Sequence, residues 1–277
     1  MAEPVDPIRV LERHLEQWVQ AYGSELAVPP GEAVERSAHS EQTIATPEHV
    51  ATTDAPAARE PEAQPQRRAT PDSTAKKETQ PTTNPTVTAL RELRAEIHDC
   101  TKCKLHQGRQ TTVFGEGSTT ARVMFIGEAP GAREDQTGRP CVGPAGQLLD
   151  RILAKAMGLQ RPDVFIANLN KCRPPGNRAP EPDEVAACLP YLKRQVELVQ
   201  PEVLVCLGRS AAQSLLGSTE STTRMRQKQH EYCGIPVIVT WHPAYLLREP
   251  SRKRETWEDI KRVNQLLGLP EIPPGQS

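Results

Sequence analysis

The sequence predicts an α/β domain on a mainly parallel four-stranded sheet with helices over both faces, preceded by an N-terminal extension that lacks a core. Two observations lead there. Four short apolar runs, RVMFIG (122–127), DVFIAN (163–168), EVLVCLG (202–208) and IPVIVT (235–240), alternate with amphipathic helical stretches. Strands that are apolar on both faces belong to parallel sheets covered by helices. The chain also changes character near residue 88. Residues 1–87 carry a net charge of −6 and residues 88–277 one of +5, within an overall −1, and every cysteine lies in the second part.

The elements follow in order. Residues 7–23, PIRVLERHLEQWVQAYG, place Val10, Leu11, Leu15, Trp18 and Val19 on one helical stripe, with Pro7 suited to a first turn and Gly23 to an end. This helix, in a segment 1–26, either folds back on the domain or docks another protein. Residues 27–87 hold no Phe, Trp, Tyr or Cys and are rich in Ala, Pro, Thr and Glu. They cannot bury enough apolar area to offset the entropy of ordering, and are read as a disordered linker. The domain, 88–268, opens on an amphipathic helix, TALRELRAEIHDC (88–100). Helices 145–158, 182–199 and 209–217 separate the strands, RETWEDIKRVNQLLG (254–268) closes the domain, and 269–277 form a tail. Ligands of such sheets bind at the carboxyl ends of the strands. Three segments there look chemical: GEAPG after the first strand, Asn168 at the end of the second, and WHPAYLLR after the fourth.

No apolar run reaches the roughly 18 residues of a membrane-spanning helix. Residues 1–6 lack the basic start and apolar stretch of a secretory signal, so the chain reads as cytosolic. Seven cysteines in that setting suggest metal binding or chemistry before disulfides. Cys100 and Cys103 form a C-x-x-C pair at a helix end, Cys172 follows the second strand, and Cys188 lies in the next helix. The second pair is not another C-x-x-C, so a zinc ribbon fits poorly, whereas four thiolates suit a [4Fe–4S] cluster with one cysteine sulfur per iron. Spacing alone leaves iron–sulfur, zinc and unrelated cysteines all open. Cys206, inside an apolar strand, reads as a buried small hydrophobe, and Cys233 receives no role.

Together these residues resemble the iron–sulfur uracil-DNA glycosylases, family 4. The matches are CTKC (100–103), GEAPGAREDQTGRP (127–140), VGPAGQLLD (142–150), NLNKCRPPGNRAPEPDE (168–184), the later Cys188, and WHPAYLLR (241–248). Their order and spacing agree from about residue 90 to 268, and the first 87 residues fall outside. The resemblance implies a three-layer α/β/α sandwich and a [4Fe–4S] cluster held by Cys100, Cys103, Cys172 and Cys188. It also implies hydrolysis of the bond between uracil and deoxyribose in DNA, with uracil flipped from the duplex into a pocket.

That reaction assigns further expectations. Asn168 can donate to uracil O4 and accept from N3–H, where cytosine presents the reverse pattern; read from its place alone it caps a turn. His242 can donate to uracil O2 as negative charge develops, and a neutral ring suffices. Gly127, Glu128, Ala129 and Gly131 form another wall, in which the glycines let backbone amides approach base and sugar. The position that carries a carboxylate in related enzymes is Ala129 here, as is usual in family 4, so Glu128, Glu134 and Asp135 are the candidates to handle water. Leu246 matches the wedge that fills the gap left by a flipped base, Tyr245 and Leu247 flank it, and Arg248 is placed for a phosphate. Lys171, Arg173, Arg178, Arg252, Lys253 and Arg254 could add a basic face. Where the family has Phe to stack on uracil, this chain has Cys141.

The expected partner is uracil-containing DNA, met by a cytosolic, nucleoid-associated monomer, with a possible protein partner for the N-terminal helix. The cluster is expected to be structural, because hydrolysis needs no net electron transfer. Three other readings compete: a non-cleaving DNA- or protein-binding relative, one that traps DNA covalently through His230 in the basic stretch 224–230, and a C-x-x-C oxidoreductase.

Overall fold

The computed structural model describes residues 84–270. The helix read at 7–23, the linker up to 83 and the tail beyond 270 lie outside the described residues. The first helix, α1 (Pro85–His98), begins three residues ahead of residue 88 because Asn84 caps it, its Oδ1 accepting from the Thr86 amide at 2.9 Å.

The sheet has six strands, not four, in the order β1-β3-β2-β4-β6-β5. The central four are the predicted runs, β2 (Val123–Gly127), β3 (Phe165–Asn168), β4 (Val203–Leu207) and β6 (Ile235–Thr240), all parallel. The two additions are antiparallel edges, β1 (Glu116–Gly117) and β5 (His230–Tyr232). Their sequences, EG and HEY, are too short and polar to register as apolar runs, since an edge strand does not need a face buried on each side.

Alternate residues of the central strands feed two cores. Met124, Ile126, Ala167, Leu204 and Cys206 pack on one face against Leu93 and Ile97 of α1 and Leu192 and Val196 of α4 (Pro182–Val199). On the other face, Val123, Phe125, Ile166, Val203 and Val205 meet Leu149 of α3 (Pro144–Ile152) and Ile260 and Val263 of α8 (Lys253–Leu267). This is the expected three-layer α/β/α sandwich. Four short helices complete the domain, α2 (Ala132–Thr137), α5 (Arg209–Leu216), α6 (Thr222–Arg226) and α7 (Pro243–Arg248), of which α5 and α6 add Ala211, Ala212, Leu215 and Met225 to the first core. Among the described residues no helix is long and apolar enough to cross a membrane.

Candidate active site and cysteine cavity

Gly127 and Asn168 end neighbouring parallel strands in register. A Cβ on Gly127 would stand 2.4 Å from Asn168 Oδ1, so the glycine makes room for the carboxamide. Asn168 is 2% exposed and lines an open cleft with His242. His242 is the N-cap of α7, and its Nδ1 accepts from the Ala244 amide at 3.1 Å. That bond leaves the ring proton of the neutral form on Nε2. Burial, with a smaller push from Arg248, lowers the His242 pKa from 6.5 to about 4, so the ring is neutral at physiological pH.

Glu128 and Ala129 reach the same cleft, and Glu128 Oε2 accepts from the hydroxyl of Ser210 on α5. Trp241, of the WHPAYLLR stretch, also lines the cleft, as do Gly208, Arg209 and Ser210, which were not anticipated. The only sequence signal was the GRS that follows β4 and starts a helix. Gly208, at φ +90, lies where a Cβ would press on the Cβ of His242 at 3.1 Å.

Several expectations are corrected. The Gly131 amide is already taken, donating to Glu134 at 3.1 Å. Glu134 also receives the amides of Val142 and Gly143, at 2.8 and 2.9 Å, and buried Asp135 accepts from the Gln110 amide at 3.0 Å. Both carboxylates therefore hold loops together. Leu246 is 0% exposed and packs with Leu148. A wedge must reach solvent to enter DNA, so Leu246 cannot be one as it stands, whereas Tyr245 and Arg248 do line the cleft.

The basic face is also redistributed. Lys171 is 1% exposed, and its Nζ donates to the Asn168 carbonyl and to Gln195 Oε1, both at 2.6 Å, with burial lowering its pKa to about 8. Lys253 is buried. Arg173 is bonded to Asn177, Arg178 to Glu184 and Arg252 to Glu255, while Arg254 is exposed. Arg209 and Arg248 are the exposed cations that border the cleft. Cys141 lies in the cleft wall and is also packed in the core, 8% exposed. His230 bonds the Met225 carbonyl at 2.8 Å and is not among the residues lining the cleft, which leaves the covalent-trapping reading without support.

Cys100, Cys103, Cys172 and Cys188 line one small cavity between α1, α4 and the segment after β3. None of the four is in a disulfide. Three sulfurs have a donor: Tyr191 Oη to Cys100 at 3.4 Å, Arg109 Nη1 to Cys172 at 3.3 Å, and the Lys171 amide to Cys188 at 3.2 Å. Such donors favour sulfurs that carry negative charge. Among the described residues no three His, Cys, Asp or Glu side chains are grouped to share a single metal ion. Four cysteine sulfurs around one cavity match in number the one sulfur per iron that a [4Fe–4S] cluster takes.

A family model described as the Uracil DNA glycosylase superfamily matches residues 114–261. The chain is 43% identical over 191 residues to a type-4 uracil-DNA glycosylase of Sulfurisphaera tokodaii, covering 66% of this chain and 87% of that one. It is 44% identical over 185 residues to that of Saccharolobus solfataricus (64% and 86%), and 44% identical over 188 residues to that of Archaeoglobus fulgidus (65% and 94%).

Proposed function

The chain belongs to the uracil DNA glycosylase superfamily, and from that premise we propose that its cleft hydrolyses the N-glycosidic bond of deoxyuridine in DNA, releasing uracil and leaving an abasic site. The observation that carries this reading is the meeting of Asn168 and His242 across one cleft, from the ends of β3 and β6. The flipped base presents O4 and N3–H to the Asn168 carboxamide, which donates to the first and accepts from the second. As the bond from N1 to the sugar C1′ lengthens, charge moves onto the uracil ring. The neutral His242 donates from Nε2 to O2 and stabilises that charge without giving up its proton.

A water attacks C1′. Glu128 is the group to orient it, because Ser210 occupies one carboxylate oxygen and leaves the other for the water. The new C1′–O bond replaces the C1′–N1 bond, the water's proton passes to Glu128 or to solvent, and the uracil anion takes up a proton on release. Ala129 keeps the wall narrow beside the base, Gly127 leaves room for the Asn168 carboxamide, and Cys141 faces the base without a ring. Tyr245, Arg248 and Arg209 border the opening, the cations suited to phosphates and the ring to the DNA beside the flipped base.

Cys100, Cys103, Cys172 and Cys188 would hold a [4Fe–4S] cluster. When bound, it supplies a cross-link between α1, the segment after β3 and α4. Lys171 lies between that site and the pocket, its amide on the Cys188 sulfur and its ammonium on the Asn168 carbonyl. The enzyme is proposed to act as a monomer on cytosolic, nucleoid DNA, and the stretch 7–23 is proposed to recruit a protein partner.

The test uses one oligonucleotide with uracil, cytosine or thymine at a single position. The reading expects a strand break after alkali with uracil alone. Cutting of cytosine or thymine at the same rate, or no break with any base, contradicts it.

A further inference from the structure

The loop 138–143 brings Cys141 into the cleft wall, and its backbone is held from two sides by opposite charges. On one side the Glu134 carboxylate gathers amides, with Oε1 accepting from Val142 and Gly143. On the other side the Arg161 guanidinium gathers carbonyls, with Nη1 donating to the Cys141 carbonyl at 2.9 Å and Nη2 to that of Pro140. Arg161 is itself fixed by Glu116 and, at 2.8 Å, by Asp150, and its side chain is 15% exposed.

Between these holds Cys141 takes φ +50, the left-handed region that costs a non-glycine residue. Such a conformation persists where the surroundings over-determine it. The carbonyl that Arg161 holds also lies 1.7 Å from where a Cβ on Gly146 would fall, so the loop presses directly onto α3. Arg161 is not among the residues that line the cleft. It reaches the pocket only through this backbone.

We propose that Arg161 is a positioning residue of the uracil pocket: opposite Glu134, it fixes the Pro140–Cys141 backbone and so keeps the Cys141 side chain in the wall that faces the flipped base. The consequence for catalysis rests on the uracil-glycosylase reading of the cleft; the clamp itself does not. The planar fork of arginine suits the task, since it offers donors to two consecutive carbonyls and two carboxylates at once. A lysine would meet these acceptors from a single point.

The experiment alkylates native full-length protein with N-ethylmaleimide, maps each cysteine by peptide mass spectrometry, and measures kcat and KM on a uracil oligonucleotide. Exposed Cys233 gives the reference rate, and Cys206, buried in β4, reports unfolding. In Arg161→Gln, labelling of Cys141 rises about tenfold relative to Cys233 while Cys206 stays protected, a change equivalent to about 1.4 kcal/mol. KM rises by a similar factor and kcat changes less. Arg161→Lys, which keeps the charge between Glu116 and Asp150, moves the same way by less. If Arg161→Gln exposes Cys206, that variant has unfolded and the same two measurements on Arg161→Lys decide between the outcomes. Wild-type labelling of Cys141 in the folded variant overturns the proposal, as does faster labelling with an unchanged KM. A wild-type protein that releases no uracil overturns the functional reading instead, and the labelling then decides the clamp alone.

Discussion

The Ala244 amide donates to Nδ1 of His242 at 3.1 Å, and this one bond sets the tautomer that points Nε2–H into the cleft. A proton on Nδ1 would place two donors face to face and break the cap. His242→Ala should therefore slow single-turnover cleavage by about 2.7–4 kcal/mol of transition-state stabilisation while DNA binding changes little. An unchanged rate removes His242 from the reaction.

The same ring makes a pH prediction. Its folded pKa of about 4 lies below the ordinary 6.5, so between those values the unfolded chain binds more protons than the native one. The contribution of His242 to stability is full above 6.5 and is lost as pH falls toward 4. Melting temperature measured against pH should fall less steeply across that window in His242→Ala than in the wild type. Parallel curves would show that the ring is not held neutral.

The proposed reading of the base by Asn168 requires the room that Gly127 leaves. Gly127→Ala puts a methyl group 2.4 Å from Asn168 Oδ1, and the displaced carboxamide should cost about a hundredfold in kcat/KM on uracil. Asn168→Asp removes the amide donor to O4 and should erode the preference for uracil over cytosine. Full activity in Gly127→Ala, or an unaltered preference in Asn168→Asp, would place base reading elsewhere.

Protein purified without air should be brown, absorb broadly near the violet, and contain about four irons per chain. Cys188→Ser should lower the iron content and the melting temperature together, because the site joins α1, α4 and the strand end that carries Asn168. One zinc and no iron in an anaerobic preparation would contradict the assignment.

Cys141 carries no ring at the position where the family resemblance implies a Phe stacked on uracil. Base–aromatic stacking contributes about 1–3 kcal/mol, which corresponds to roughly 5- to 150-fold in binding. Cys141→Phe should improve productive uracil binding within that range under single-turnover conditions. No gain, or a loss, would show that the wall is built around the smaller side chain, as the φ of +50 and close contact with Gly146 would enforce.

The central sheet was legible because its strands are buried on both faces and so read as uninterrupted apolar runs. The edge strands Glu116–Gly117 and His230–Tyr232 were not, because polar residues suffice where one side of the ladder is open. That Asn168 and His242 stand at strand ends was legible from their motifs; that they meet in one cleft is seen in the fold. Ser210 was not, since only the fold carries α5 to the cleft. Leu246 and Lys171 were misplaced for one reason: sequence does not tell which face of a turn or short helix meets the core. Both side chains turned inward, Leu246 onto Leu148 and Lys171 onto the Asn168 carbonyl.

The most direct test of the account is the product balance of one turnover with excess wild-type enzyme on an oligonucleotide bearing a single uracil. Free uracil and the abasic strand, both quantified by mass spectrometry, should appear in equal amounts and at the same rate, with loss of both in His242→Ala. DNA that stays bound with its uracil attached, or a protein–DNA adduct that survives heat, would contradict it.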